Sequence, residues 1–187
     1  MQQSRRTFIR NSGIGLLGFT VGGCEVKLTP EDARQQKIPF QVLSPDEVRT
    51  LEALGESLLP GSAAAGLAHF IDHQLAASPR DQLLMIKYLG VSPPFSPFYS
   101  TGLAALNNSA NDQHGADYAD LTREQSAALV GQMAQANPQG WSGPAAPFFY
   151  FVLRNDAVDV VYGTKEGFER LDIPYMAHIE PPGRWGE

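Results

Sequence analysis

Residues 147–163 read PFFYFVLRNDAVDVVYG, and this stretch decides the fold class. Proline is well placed to open a helix, because its fixed φ suits the first turn and the N–H it lacks has no partner there. Behind Pro147, the residues Phe148, Phe149, Phe151, Val152 and Leu153 make the next turns apolar nearly all round, as expected of the central helix of a bundle. Gly163 is a natural C-terminal cap.

Working outward, the flanking segments carry helix signals of the same kind. Ser44-Pro45-Asp46-Glu47 is a capping box with proline at the first helical position, and Leu43 and Val48 are spaced as a hydrophobic staple. Val48, Leu51, Leu54 and Leu58 then recur at helical spacing until Pro60-Gly61 ends the run. Leu67–Ala76 predicts a second helix with Leu67, Phe70, Ile71 and Leu75 on one face, and Ser78-Pro79 predicts a third through Leu89. Thr122 with Gln125 forms another capping box, ahead of Leu129, Val130 and Met133, with Asn137-Pro138 as the stop. VSPPFSPFYS (91–100) reads as a loop followed by a short helical piece near Leu103 to Leu106, and NNSANDQHGADYAD (107–120) as a mobile polar loop. No alternating strand pattern of useful length appears, nor any repeat of 20 to 50 residues. The expectation is an all-α fold: a small helical bundle with an irregular C-terminal tail.

The N-terminus carries a different signal. SRRTFIR (4–10) looks like the twin-arginine consensus of bacterial export, with the paired Arg5 and Arg6, Phe8 and the following apolar residue in place. An apolar run, Ile14–Val21, and small residues before Cys24 complete an n-region, h-region and cleavage region. That run is shorter than the roughly 20 apolar residues needed to span a bilayer. Gly13, Gly15 and Gly18 also spell G-x-G-x-x-G, but the dinucleotide fingerprint needs a strand before it and a long helix after it, and Met1–Asn11 is polar and basic. Val21-Gly22-Gly23-Cys24 resembles a lipobox. Cys24 is then either the lipidated first residue of the mature protein or a residue discarded with the signal. As the only cysteine, it leaves no internal disulfide for the mature chain.

The expected organisation is a twin-arginine signal over 1–23, a polar tether over 24–42 with Pro30 and Pro39, and a helical domain over 43–187. Residues 24–187 carry 11 basic and 20 acidic side chains, a net charge of −9, because Arg5, Arg6 and Arg10 all lie in the signal. That balance argues against nucleic acid, which needs a basic face, and leaves a lipid on Cys24 as the route to a membrane.

His69 and His73, four residues apart with Asp72 beside them, have the spacing of a zinc pair on a helix, which keeps a metal-dependent enzyme as the alternative reading. The glutamate of H-E-x-x-H is missing, since Phe70 stands there, and no third ligand follows. There is no G-x-S-x-G elbow, P-loop or C-x-x-C-H haem attachment. In the tail, Phe168, Tyr175, Met176, His178 and Trp185 either wrap on the domain or dock on another protein, Tyr, Trp, Met and Arg being the types enriched at interface centres. The candidate interface residues are Phe148, Phe149, Tyr175, His178 and Trp185.

LSPDEVRTLEALGESLLPG (43–61), AGLAHFIDHQLA (65–76) and PFFYFVLRNDAVDVVYGTKEGFERLDIPYMAHIEPPGRW (147–185) together resemble the small subunit, subunit 3, of gluconate 2-dehydrogenases. The resemblance implies a helical, non-catalytic partner of a large FAD-dependent dehydrogenase of the glucose-methanol-choline type. It further implies a multihaem cytochrome c subunit in some complexes, and export of the folded complex to the periplasm by the twin-arginine translocase on the small subunit's signal. No catalytic residue carries over to this chain, and the substrate stays open among gluconate, other sugars and alcohols.

Overall fold

In the computed structural model, which describes residues 17–21 and 24–172, two helices share the centre. One is α6 (Ala146–Tyr162), opened by Pro147 and ended at Gly163 as its sequence predicts. The other is α2 (Pro45–Leu58). Its capping box forms as expected: the Ser44 N–H donates to Glu47 Oε2 at 2.8 Å, and the Glu47 N–H to Ser44 Oγ at 3.3 Å. α2 packs against α3 (Leu67–Ala76), α4 (Ser96–His114), α5 (Arg123–Met133) and α6, while α6 also touches α3, α5 and the short α7 (Lys165–Arg170). The all-α expectation holds, with one small hairpin beside the bundle.

On α6 the buried side chains are Ala146, Phe149, Val152, Leu153, Asp156, Ala157, Val160 and Val161, a broad stripe at helical spacing. Of these, Ala146, Phe149, Val152, Leu153, Ala157 and Val160 join Leu51 and Leu54 of α2, Leu67, Phe70 and Ile71 of α3, and Leu129 and Met133 of α5 in one core. Phe151, on the opposite side, is 46 % exposed. α6 is therefore amphipathic and not buried all round. Asn137, expected only as a helix stop, also anchors α6, since its Oδ1 accepts from the Ala146 N–H at 2.8 Å.

Three segments differ from their sequence reading. Residues 91–120 are mostly helix: α4 is 19 residues long and buries Tyr99, Leu103, Leu106 and Ala110. Its polar second half holds because Asn107 bridges two elements, donating to Thr50 Oγ1 at 3.0 Å and accepting from the Tyr118 N–H at 3.0 Å. The third helix expected over 78–89 is instead irregular chain ending in a 3₁₀ turn, Met85–Leu89. Competing polar contacts hold it there: Gln74 Oε1 accepts from the Leu83 N–H at 2.7 Å, and Lys87 Nζ donates to the carbonyls of Arg80 and Gln82.

The third difference lies at the N-terminus, where residues 24–42 are not a loose tether. Cys24–Leu28 forms β2 and Pro30–Gln35 forms α1, capped by Thr29, whose Oγ1 accepts from the Asp32 N–H at 3.0 Å. Leu28, Ala33 and Ile38 are buried, so these apolar residues of a polar stretch face the body, while Val42 stays exposed. β2 pairs antiparallel with β1 (Leu17–Val21), in the register Leu17↔Leu28, Phe19↔Val26 and Val21↔Cys24. The end of the apolar run read as a signal h-region is thus a strand, with Leu17 and Phe19 in the core cluster.

Candidate functional site

α3 begins at Gly66, whose φ of +88° is a left-handed conformation, and a Cβ there would stand 2.2 Å from the Pro30 carbonyl oxygen. Only glycine lets α1 approach so closely. From this start, His69, Asp72 and His73 fall on one face of α3, as their spacing predicts. The structure brings the three together, and each reaches the N-terminal segment.

Asp72, 3 % exposed, accepts three backbone N–H groups: those of Val42 and Leu43 on Oδ1, both at 2.8 Å, and that of Gln41 on Oδ2 at 2.9 Å. A carboxylate so placed supplies acceptors that an extended segment entering a helix otherwise lacks. His69 Nε2 donates to the Ile38 carbonyl at 3.1 Å, with the Phe40 ring 4.4 Å from its own. His73 Nε2 donates to the Gly18 carbonyl at 3.1 Å, and the Phe19 ring lies 5.1 Å away.

A carbonyl oxygen only accepts, so both Nε2 atoms carry hydrogen and are engaged by backbone, which leaves the buried Nδ1 of each ring without a hydrogen-bond partner. Among the described residues no three His, Cys, Asp or Glu side chains converge as a cation site. Burial holds the His69 pKa below its ordinary value, opposed in part by the bond to Ile38. The constellation read as a zinc pair clamps the backbone at Gly18, Ile38 and Gln41–Leu43. Spacing showed that the three share a face; nothing local shows that their partners are backbone groups some 30 residues upstream for His69 and Asp72, and 55 upstream for His73.

A second buried polar cluster lies between α4 and α6. Asp156 is fully buried and accepts from the Tyr99 hydroxyl at 2.7 Å and from the Met85 N–H at 2.9 Å. Burial pushes its pKa up to about 7, against the pull of the two donors. Both donors come from the protein's own packing, so the group joins α4, α6 and the 3₁₀ turn.

The candidate interface residues separate. Phe149 is fully buried beside Phe98, Trp141 and Gly102, so it belongs to the core and not to a surface. Phe148 is partly buried, edge-on to Phe98 at 5.6 Å. Tyr175, His178 and Trp185 lie outside the described residues, as do Arg5 and Arg6, while the backbone of Cys24 starts β2. The exposed large apolar side chains are others, chiefly Tyr88, Leu83, Phe151 and Leu171. The helical phase of α6, with 149, 152, 153, 156 and 157 inward, already sorts Phe149 from Phe151.

An open groove of about 410 Å³ runs along α2 between Arg49, Glu52, Glu56 and Ala119. Its polar groups are engaged: Arg49 pairs with Asp120, Glu52 with Arg34, and Glu56 accepts from the N–H groups of Gly61 and Ala63. No helix among the described residues is long and apolar enough to cross a membrane.

Compared with protein families, the chain matches the model of gluconate 2-dehydrogenase subunit 3 over residues 45–183. The chain belongs to that family. Comparison with curated proteins and with solved structures gives no match. The subunit 3 match begins at Pro45, the first residue of α2, so the hairpin, α1 and the segment held by Asp72 all precede it. What the family name supplies is a place in a multi-subunit dehydrogenase, as an accessory subunit.

Proposed function

We propose that this subunit 3 protein is a non-catalytic small subunit of a periplasmic sugar or alcohol dehydrogenase, whose large, FAD-binding subunit is of the glucose-methanol-choline type. The family match over residues 45–183 carries the reading. In it, Arg5 and Arg6 engage the twin-arginine translocase, and the large subunit, which must bind its flavin before export, leaves the cytoplasm as a folded complex on this signal. The flavin takes the hydride from the substrate, and a cytochrome c subunit takes the electrons in complexes that include one. Cys24, lipidated after removal of residues 1–23, then tethers the complex to the membrane.

Two observations support an assembly role. The buried carboxylates Asp72 and Asp156 both bind groups of this chain's own packing. Exposed apolar side chains such as Tyr88 and Phe151 offer the large-residue chemistry of an interface. The test is an assay of the purified chain and of the complex it captures, with gluconate and other sugars and an artificial electron acceptor. The account expects activity in the complex alone; turnover by the isolated chain would overturn it.

A further inference from the structure

Export needs the apolar part of a signal to be available, and here that part is occupied. Residues 17–21, the second half of the run Ile14–Val21, form β1. Leu17 and Phe19 are 8 % and 3 % exposed within the core cluster, the Gly18 carbonyl is held by His73, and β2 takes the strand's backbone. These side chains cannot lie in the folded domain and in a membrane or translocase at the same time.

The seat and its occupant fall on opposite sides of the cleavage point. His73 on α3 and Cys24–Leu28 belong to the part that remains, whereas β1 belongs to the part removed before Cys24. Cleavage discards β1, opens one edge of β2 and leaves His73 without its acceptor. A contact that exists only before cleavage can act only before cleavage.

We propose that β1 is an autoinhibitory contact, by which the folded domain withholds its own export signal until the strand leaves its seat on α3 and β2. The inference rests on the export reading above. Seating lowers the fraction of chains whose signal is available, and slows export by that fraction.

The test alters the seat and leaves residues 1–23 untouched. His73→Ala removes the hold on Gly18 and the ring beside Phe19, and Val26→Pro breaks the ladder opposite Phe19. Each is made in the full chain, with a thermal melt to check that the bundle stays folded. Hydrogen exchange over Leu17–Leu28 reads seating, and the rate at which the processed mass appears in cells reads export. The wild-type strands are expected to be protected, the variants to exchange at least about tenfold faster, and processing of the variants to rise several-fold.

Free exchange of these amides in the wild type would overturn the proposal, as would variants that release the strand with processing unchanged. Processing that persists in an Arg5→Lys, Arg6→Lys double variant would sink the export reading, and this inference with it. The strand's exchange protection would survive that result, which separates the two failures.

Discussion

The Tyr99 hydroxyl donates to Asp156 Oδ2 at 2.7 Å inside the bundle, a buried contact that ties α4 to α6. Because burial raises the Asp156 pKa from its ordinary 3.8 to about 7, the folded chain binds a proton here that the unfolded chain has already released between those two values. This group's contribution therefore favours folding at low pH, falls as pH rises from 3.8 towards 7, and is lost above 7. Asp156→Asn keeps an acceptor for the Met85 N–H and offers Tyr99 a donor in place of an acceptor. Urea melts at pH 5 and pH 8 should show wild type losing stability between them through this group, and a smaller loss in the variant. Tyr99→Phe, which strands a buried oxygen, should cost about 1–3 kcal/mol.

Asp72, on α3, accepts from three successive N–H groups, Gln41 to Leu43. Asp72→Ala leaves all three without that acceptor. The expected loss is about 2–4 kcal/mol, since hydrogen bonds to a charged group count for more than neutral ones. Hydrogen exchange should locate the damage in residues 36–43, with α5 and α6 protected as before. A variant as stable as the parent would show that water serves those groups equally well.

Gly102 sets how closely α4 approaches α6. A Cβ there would stand 2.2 Å from the Phe149 ring, which is itself fully buried. Gly102→Ala gains helix propensity and loses more through overpacking, for a net destabilisation of about 1–3 kcal/mol. Pairing it with Phe149→Leu, which makes room, should recover part of the loss in a double-mutant cycle.

Phe149 and Phe151 are two residues apart and should behave oppositely. Phe149→Ala is expected to cost about 3–5 kcal/mol, the range for emptying a buried aromatic site. Phe151→Ser, on a side chain 46 % exposed, should stay within about 0.5 kcal/mol of the parent. A surface role for Phe151 then shows as weaker capture of the large subunit at unchanged stability.

Much of the bundle was legible because its signals are local. The capping boxes at Ser44 and Thr122 satisfy backbone groups within three residues of themselves, and the bounds of α3 follow from its apolar face. α4 was hidden because its polar half is held by Asn107 reaching Thr50 and Tyr118, contacts set by the tertiary fold. The hairpin was hidden for another reason: a short apolar run such as Leu17–Val21 suits a signal and a strand equally well. Likewise, the spacing of His69, Asp72 and His73 gives their common face and says nothing of the backbone they hold.

The most direct test of the account is capture of the tagged chain from its native membranes in mild detergent, reading the visible spectrum of the eluate and the mass of its partner. The account predicts a far larger chain with flavin absorption, and a colourless small subunit once the two are separated. Elution alone, or with a partner that carries no flavin, would contradict it.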